Sequence, residues 1–381
     1  MSRAPGRSLD APPLALGCTA IAGTNIALVK YWGKRDAALN LPATGSLSLT
    51  LKEMGTRTTV RFGPRGDGAE GGGGDGGGEG DRVTFNGAPA DARVRARISA
   101  FLDRVRARAG IVQPAEVITE NSVPTAAGLA SSASGFAALA LAASRAAGLN
   151  LTPAELSELA RLGSGSAARS IFGGFVVMAR GERADGRDAV AAPVGPSALD
   201  AALEGPAGDR PPWELRLVVA VTAVGEKALG STAAMDSTAR SSPFYPAWVA
   251  SSAGDLAEAR EAIVARDLAR LGGVAERSAL RMHATAMAAE PAILYWNGAT
   301  VAAIHATRAL RASGVAAYFT IDAGPHVKVL CAAADAPRIA SALGDVPGVL
   351  RTLSASPGPG ARVVPPTDQP EPRPRASEDR A

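Results

Sequence analysis

The amino-acid sequence predicts a two-domain protein in which strands and helices are mixed. Its 381 residues exceed the length at which a single hydrophobic core usually stops growing. Strand-like and helix-like hydrophobic patterns follow one another along most of the chain. A Pro- and Gly-rich stretch at residues 195–212 interrupts them near the middle. We therefore expect domains at residues 14–212 and 213–356.

The individual elements follow from period-2 and period-3.6 hydrophobic patterns. Strands are predicted at Ile26–Tyr31, Ser46–Leu51, Thr56–Phe62, Glu116–Thr119, Phe175–Ala179, Leu215–Val221, Ala316–Ile321 and Val327–Cys331. Helices are predicted at Ala92–Ala109, Ser131–Ala147, Pro153–Leu162, Ser166–Ile171, Asp255–Leu271 and Gly298–Ala312. The helix at Pro153 has the clearest start, because Thr152 and Glu155 form a capping-box pattern around that proline.

Three segments look unstructured. Residues 63–82 are a Gly- and acid-rich insertion between two strands, and its acidic side chains argue against phosphate binding. Residues 1–13 read as a loose tail, and residues 357–381, rich in Pro, Arg and Glu, are predicted to be disordered.

Composition excludes several classes of protein. No apolar run reaches the ~18 residues of a membrane span, and the N-terminus lacks the apolar region of a secretory signal. Two distant cysteines, Cys18 and Cys331, fit a reducing cytoplasm. A net charge of +4 with 4% aromatic residues gives little support for nucleic-acid binding.

Histidines are as sparse as cysteines. His283 and His305 fall in helical segments and read as partly buried structural residues, whereas His326 follows a turn that could line a site. Such widely spaced ligands argue against a transition-metal centre.

Lysine is rare in a chain that otherwise uses arginine. Lysines occur only at Lys30, Lys34, Lys52, Lys227 and Lys328. Two of them lie within Lys30-Tyr31-Trp32-Gly33-Lys34, which suggests a place where a compact ammonium is needed. The alternative is chance placement on the surface.

A loop of small residues precedes an apolar helix at Pro124-Thr125-Ala126-Ala127-Gly128-Leu129-Ala130-Ser131-Ser132-Ala133-Ser134-Gly135. Backbone N–H groups at such a helix start suit phosphate, and the serines add hydroxyl donors. Small residues at a tightly packed helix start would give the same pattern.

Two further segments carry polar side chains at the ends of elements. Ser164 and Ser166 precede Arg169, whose guanidinium can hold a carboxylate or phosphate in bidentate fashion. Asp322 ends a strand before a Gly-Pro turn, which is a suitable position for pointing into a cleft. An ordinary capped helix and a turn-forming Asp remain the alternatives.

Together these segments resemble the mevalonate diphosphate decarboxylases of the GHMP kinase superfamily. The resemblance runs from about residue 18 to residue 332 and is strongest in the strings K-Y-W-G-K and P-T-A-A-G-L-A-S-S-A. The matching stretches are Asn25–Asp36, Ser46–Thr50, Pro124–Ser134, Gly163–Arg169 with Phe172–Phe175, Met235–Tyr245 and Asp322–Pro325.

The resemblance implies an α+β GHMP-kinase-like fold, with an N-terminal domain like the second domain of ribosomal protein S5 and a ferredoxin-like C-terminal domain. The active site would lie in the cleft between them. ATP and Mg²⁺ would be required, mevalonate 5-diphosphate would become isopentenyl diphosphate, and a cytoplasmic homodimer is the expected form.

Residue roles also follow from the resemblance. The catalytic residues would be Asp322, Lys30 and Arg169. The substrate would be held by Tyr31, Lys34, Ser164, Gly165, Ser166, Ala27, Ser231, Thr232 and Ala323. ATP would be bound by Pro124, Ala127, Gly128, Leu129, Ala130, Ser131, Ser132 and Asn25, with Ser131 also on Mg²⁺.

The chain departs from the family pattern at three places. Ser231-Thr232 stands where many bacterial members have Ser-Arg, so one cation on the diphosphate side is missing. Gly45 and His326 replace a polar residue and an Asn. These departures bear on the affinity for a diphosphate and do not touch Asp322, Lys30 or Arg169. The alternatives are a decarboxylase acting on mevalonate 5-phosphate, a 3-kinase that stops before decarboxylation, and a non-catalytic regulatory homologue.

Overall fold

The computed structural model describes residues 17–63, 80–122, 131–194, 213–225 and 229–365. The N-terminal domain contains strands β1 (Cys18–Val29), β2 (Lys34–Asp36), β3 (Leu41–Pro42), β4 (Ser46–Phe62), β5 (Arg82–Phe85), β6 (Ala88–Pro89), β7 (Ala115–Asn121), β8 (Phe175–Met178) and β9 (Ala191–Pro193). Its helices are α1 (Ala92–Ala109), α2 (Ser131–Ala146), α3 (Pro153–Gly163) and α4 (Ala167–Ser170).

The C-terminal domain follows the same mixed pattern. Its strands are β10 (Leu215–Val221), β11 (Tyr318–Ile321), β12 (Val327–Ala332) and β13 (Arg351–Ala355), and its helices are α5 (Ser231–Ser241), α6 (Tyr245–Ala265), α7 (Leu268–Met287), α8 (Gly298–Ala312) and α9 (Ala336–Gly344). A last strand, β14 (Arg362–Val364), returns to the N-terminal domain.

Each domain is built on one main sheet. The N-terminal sheet has the order β14-β1-β4-β7-β5-β6, and β8 and β9 continue it from β4. The C-terminal sheet is antiparallel with the order β11-β12-β10-β13. The α+β class predicted from the sequence is confirmed. None of the helices in the described part of the chain has both the length and the apolar character that a bilayer crossing requires.

Local signals explain where the helices of the N-terminal domain start and stop. The side chain of Asp91 accepts a hydrogen bond from the Val94 N–H at the start of α1, and Gly110 ends that helix with φ of 68°. The predicted capping box of Thr152 and Glu155 is present at the start of α3. The alanine-rich helix α2 is buried against the inner face of the sheet, so its small side chains reflect close packing.

The strand β1 carries two irregularities that shape the site. Its register against β4 shifts between Gly23 and Asn25 and again between Ala27 and Val29. At Gly23 the strands approach so closely that a β-carbon would lie 2.3 Å from the carbonyl oxygen of Leu51. These bulges turn the end of β1 toward the second domain.

The two domains share one hydrophobic cluster. It joins Ile26 and Leu28 of β1 to Leu217 and Val219 of β10, and Leu271 of α7 also belongs to it. Burial of these side chains holds the end of β1 beside the C-terminal sheet. That contact places β1 next to the β11–β12 hairpin.

One helix prediction is wrong. A single helix was expected at Asp255–Leu271, but α6 and α7 are separate helices with a break at Arg266 and Asp267. Arg266 has φ of 55°, and the Asp267 side chain caps α7 by accepting from Arg270 N–H. The apolar pattern of the sequence continues across Arg266 and Asp267, so it gives no sign that one helix ends there and another begins.

The predicted disordered tail is also wrong in its first part. Residues 357–365 pack on the N-terminal domain, where β14 pairs with β1 and Gly358 N–H donates to Thr50 O at 2.8 Å. A β-carbon on Gly358 would lie 2.4 Å from Lys52 N, so glycine is needed for close backbone contact. Residues 1–16, 64–79 and 366–381, which hold most of the other predicted unstructured segments, lie outside the described residues.

Several elements lack any counterpart among the predictions. They are β2, β3, β6, β9, α5, α9, β13 and β14. Ser46–Leu51 and Thr56–Phe62, expected as two strands, form the single long β4, and β1 begins at Cys18 rather than Ile26. The predicted and observed bounds of α1, α8 and β10 agree.

Candidate active site

Two lysines, one from each domain, hold the carboxylate of Asp322. Lys30, directly after β1, donates from Nζ to Oδ1 of Asp322 at 2.7 Å. Lys328, the second residue of β12, places its Nζ 3.0 Å from Oδ2. The side chains of Lys30 and Lys328 are 2% and 3% exposed, whereas that of Asp322 is 31% exposed. The carboxylate is therefore fixed from its buried side and open on the other.

The charges of this cluster set its protonation. Burial opposes ionisation of Asp322, but the two lysine charges outweigh burial and hold its pKa below the ordinary value. Burial lowers the pKa of Lys30 to about 8, with the Asp322 charge acting in the opposite direction and Lys328 adding repulsion. Asp322 is thus a carboxylate at neutral pH, and its open side can accept a hydrogen bond from a ligand.

Arg169 is a buried cation held by neutral groups. From the short helix α4 it donates through Nη1 to Ser46 Oγ at 2.7 Å and through Nε to Ser48 Oγ at 3.0 Å. Burial lowers its pKa to about 10, which Tyr31 and Asp322 partly oppose. No carboxylate of the described residues forms an ion pair with it. A guanidinium in this state favours an anionic ligand.

Asn25 orients that guanidinium. Its Oδ1 accepts from Arg169 Nη2 at 3.2 Å, and its Nδ2 donates to Ser166 O at 3.0 Å and Ser170 Oγ at 2.7 Å. The resemblance assigned Asn25 to nucleotide binding. In the structure its side-chain amide is engaged on both ends, and it acts on the site through Arg169.

Tyr31 lies beside Gly165 with a hydroxyl that needs a partner. The hydroxyl is buried and has no hydrogen-bond partner among the described residues. A β-carbon on Gly165 would lie 2.4 Å from the hydroxyl oxygen of Tyr31, so glycine leaves room for the ring. Burial raises the pKa of Tyr31, which keeps its hydroxyl a donor.

The predicted diphosphate side gathers polar groups near the end of α3. Lys34 donates to Asn40 Oδ1 at 2.6 Å, and the hydroxyls of Ser164 and Ser166 lie 3.4 Å apart. Burial lowers the pKa of Lys34, and the charge of Arg97 adds to that effect. Lys34 and Arg97 therefore form a positive region at this end.

Arg97 is a residue that sequence reasoning missed. It lies on α1, donates from Nη2 to Gly163 O at 2.8 Å and places its guanidinium carbon 4.5 Å from the centre of the Phe136 ring. Nothing in the sequence distinguishes it from the other arginines of α1. Its proximity to Ser164 arises only when α1 packs beside α3.

The remaining predicted substrate residues take varied positions. The Ala27 carbonyl accepts from Lys30 Nζ at 2.7 Å and from Thr320 Oγ1 at 3.2 Å, so its main chain positions the lysine. Ala323 follows Asp322 in a turn closed by a hydrogen bond of 2.7 Å from Gly324 N to Asp322 O. Ser231 begins α5, with Thr232 exposed beside it.

The predicted phosphate loop is described only at its end. Pro124, Ala127, Gly128, Leu129 and Ala130 lie outside the described residues, as does the side chain of Ser131. Ser131 begins α2, and the side chain of Ser132 is exposed. The described residues hold no group of three His, Cys, Asp or Glu side chains spaced to bind a metal.

The histidines differ in burial. His283 of α7 is completely buried, and burial lowers its pKa to about 3, with the charge of Lys30 acting in the same direction. His305 is exposed, contrary to prediction, because its position on α8 faces outward. His326 is buried, and its Nδ1 accepts from Thr222 N–H at 3.2 Å, so it supports the turn after Asp322.

Lys328 was also missed as a site residue. The sequence marked it only as one of five lysines, in a strand whose neighbours are all apolar. Its place beside Asp322 becomes visible only when β11 and β12 form their hairpin.

Comparison with known proteins identifies the family of the chain. Family models describe residues 22–191 as a diphosphomevalonate decarboxylase-like N-terminal domain and residues 217–354 as a mevalonate 5-diphosphate decarboxylase C-terminal domain. Diphosphomevalonate decarboxylase mvd1 of Aspergillus fumigatus is 35% identical over 328 residues, which cover 82% of this chain and 76% of that protein.

Solved structures give the same result. The decarboxylase of Enterococcus faecalis, described for mevalonate diphosphate mediated ATP binding, superposes with a TM-score of 0.78 at 37% identity, over 92% of this chain and 99% of that one. The structure named MDDEF in complex with MVAPP, AMPPCP and magnesium superposes with a TM-score of 0.79 at 38% identity, with coverage of 92% and 99%. The predicted two-domain GHMP-kinase-like fold is thereby confirmed, and the chain belongs to the mevalonate diphosphate decarboxylase family.

Proposed function

We propose that this protein uses ATP to convert mevalonate 5-diphosphate into isopentenyl diphosphate, ADP, phosphate and CO₂. The observation that carries the proposal is the cluster around Asp322, where an ionised carboxylate is fixed by Lys30 and Lys328 while buried Arg169 has no described anionic partner. Solved relatives are described with MVAPP, with an ATP analogue and with magnesium, and with mevalonate diphosphate and ATP.

The first step transfers a phosphoryl group to the tertiary 3-hydroxyl. The hydroxyl oxygen forms a bond to the terminal phosphorus of ATP as the bond to the ADP oxygen breaks. Asp322 accepts the hydroxyl hydrogen bond and directs the oxygen. Because the transition state of such transfers is loose, the hydroxyl proton passes late to the Asp322 carboxylate, so a weakly basic group suffices. Asp322 then returns the proton to an oxygen of the transferred phosphoryl group and is ionised for the second step. The ammonium of Lys30 offsets negative charge on the transferring group.

The second step removes phosphate and CO₂. The C3–O bond breaks with its electron pair leaving on phosphate, and the C1–C2 bonding pair becomes the C2=C3 double bond as CO₂ departs. Arg169 would hold the C1 carboxylate so that the breaking C–C bond aligns with the emptying orbital at C3. Asp322 would stabilise positive charge that develops there.

Binding of the remaining groups follows from their charge. Tyr31, Lys34, Ser164 and Ser166 would hold the diphosphate, with Arg97 nearby. The start of α2 suits the phosphates of ATP.

Magnesium would be held by ATP phosphates, water and the predicted hydroxyl ligand of Ser131, whose side chain lies outside the described residues. When bound, it supplies charge neutralisation between the phosphates.

A coupled assay of ADP release tests the proposal. Wild-type protein with mevalonate 5-diphosphate and Mg-ATP should release ADP, phosphate and CO₂ in equal amounts. The folded Asp322→Asn variant should lose activity by about 10³-fold or more, because it no longer orients the hydroxyl. Release of ADP without CO₂ would identify a 3-kinase, and preference for mevalonate 5-phosphate would identify the other substrate. No turnover of either compound would contradict the proposal.

A further inference from the structure

Lys328 is an interior lysine on the face of β12 that looks toward the N-terminal domain. Val327, Val329 and Cys331 point into the hydrophobic cluster behind the C-terminal sheet. Lys328 and Leu330 alternate with them and face the cluster shared with β1. A buried ammonium is costly unless it is paired. The anion that offsets this cost among the described residues is Asp322, 3.0 Å away.

The two lysines divide the carboxylate between them. Lys30 takes Oδ1 and Lys328 takes Oδ2. A carboxylate held through one oxygen can rotate about its Cβ–Cγ bond, whereas one held through both keeps its plane. The backbone supports this arrangement, because Lys328 lies opposite Thr320 on β11 and opposite Val219 on β10.

We propose that Lys328 is a positioning residue for the decarboxylation: it fixes the plane and the ionised state of Asp322 and adds a second uncompensated positive charge to the cleft. The inference rests on the proposed function where it concerns catalysis. The pairing itself stands on geometry and can be tested without turnover.

Charge counting gives the physical reason for a second lysine. Lys30, Lys328 and Arg169 bring three positive charges, and Asp322 brings one negative charge. The excess complements a substrate carboxylate and a transferring phosphoryl group in a site of low dielectric constant. With Lys30 alone, its positive charge and the negative charge of Asp322 would cancel, and Arg169 would provide the only uncompensated positive charge of this group.

The other groups that face Asp322 do not replace Lys328. Lys30 comes from the end of β1, Arg169 from α4 and His283 from α7. The pKa of His283 is lowered to about 3 by burial, and also by the charges of Lys30 and Lys328, so its ring is neutral where the enzyme would work. The charges of both lysines therefore act together to hold the pKa of Asp322 below its ordinary value.

Lys328→Met tests the catalytic part, because methionine keeps the length of the stem and removes the charge. We expect kcat to fall by about 100-fold with KM changed less than about threefold, since one charge and one constraint on Asp322 are lost. The acid limb of the kcat profile should move upward by about one pH unit or more, as the carboxyl becomes easier to protonate. Lys328→Arg, which keeps the charge, should leave the acid limb near its wild-type position.

Lys52→Met is the matched control. Lys52 is exposed on β4, and its replacement should leave both kcat and the acid limb unchanged. Wild-type kcat and an unmoved acid limb in folded Lys328→Met would overturn the inference.

An NMR measurement on the wild-type protein provides a test that requires neither the Lys328→Met variant nor turnover. With five lysines in the chain, the ¹⁵Nζ ammonium spectrum is sparse and can be assigned by single Lys→Arg substitutions. Two ammonium groups, those of Lys30 and Lys328, should show coupling across a hydrogen bond to the carboxyl carbon of Asp322. Coupling from Lys30 alone would refute the arrangement even if the enzyme turns over. Coupling from both lysines without turnover would leave the pairing intact and contradict the proposed function.

Discussion

The Oδ1 atom of Asn25 accepts a hydrogen bond of 3.2 Å from Nη2 of Arg169, within a wall where both residues are almost fully buried. The Asn25 amide nitrogen is fixed in turn by Ser166 O and Ser170 Oγ. Helix α4 and the residue before it thus provide Arg169 and also the two acceptors, Ser166 O and Ser170 Oγ, that hold Asn25. The direction of the guanidinium depends on a neutral amide.

Asn25→Asp should therefore weaken substrate binding. A carboxylate at this position would neutralise Arg169 and compete with the substrate carboxylate, and its second oxygen would face Ser166 O. We expect KM for mevalonate 5-diphosphate to rise at least about tenfold and the free energy of unfolding to fall by about 1–3 kcal/mol. Steady-state kinetics and urea unfolding measure these two effects.

Asn150→Asp provides the matched control, because the Asn150 side chain accepts from Arg145 on the surface. Its KM should equal that of wild type. An unchanged KM in the Asn25→Asp variant would mean that Arg169 does not hold the substrate carboxylate.

The lowered pKa of Lys30 predicts a basic limb in the activity profile. As pH rises through about 8, Lys30 loses its proton and no longer offsets charge on the transferring group. We expect kcat/KM to decline above that pH by about tenfold per pH unit. Assays from pH 6 to 10 check this, and a profile flat to pH 10 would contradict it.

The same shift affects stability with a defined sign. The folded-state pKa of Lys30, about 8, lies below the ordinary lysine value of 10.5. The unfolded chain therefore binds the proton more tightly, and burial of the charged lysine disfavours folding below pH 8. This penalty is removed as pH rises from about 8 to about 10.5, so this residue's contribution to the free energy of unfolding should increase across that window.

The resemblance and local signals predicted most of the charged site. Lys30, Arg169 and Asp322 are assigned from their motifs, and the helix bounds of α1 and α8 are predicted from hydrophobic periodicity. These features are readable because each depends on residues close together in sequence. Contacts between residues far apart in the sequence cannot be predicted in this way.

Three residues show why. Gly358 and its neighbours have the composition of a disordered tail, yet the same absence of side chains permits close backbone packing on β4. Asn25 reaches its partners across about 140 residues of sequence, and no local pattern reports such a contact. No local pattern predicts the contact of Lys328 with Asp322 either, because it forms only when β11 and β12 pair as a hairpin.

Gly165→Ala should affect the substrate pocket with little effect on folding. Its β-carbon would lie 2.4 Å from the Tyr31 hydroxyl oxygen and 2.7 Å from Cζ, so the ring must move. We expect KM for mevalonate 5-diphosphate to rise by about tenfold, because one hydrogen bond to the ligand is lost. Kinetics combined with thermal melting separate the two effects.

Gly254→Ala is the control, because its β-carbon would meet nothing within 4 Å on α6. It should leave KM unchanged and raise the free energy of unfolding by up to about 1 kcal/mol. If Gly165→Ala keeps wild-type KM, Tyr31 does not contact the substrate.

Arg97 and Lys34 should determine preference for two phosphates over one. Both cations lie near Ser164. Their positive charges would stabilise the bound diphosphate through its terminal phosphate, which mevalonate 5-phosphate lacks. We expect Arg97→Gln to raise KM for mevalonate 5-diphosphate by about tenfold and to change KM for mevalonate 5-phosphate much less. Arg95→Gln, on an exposed position of the same helix, should change neither. Equal increases for both substrates would show that Arg97 supports the fold of the pocket instead of contacting the terminal phosphate, and the missing cation at Thr232 would then have no substitute on α1.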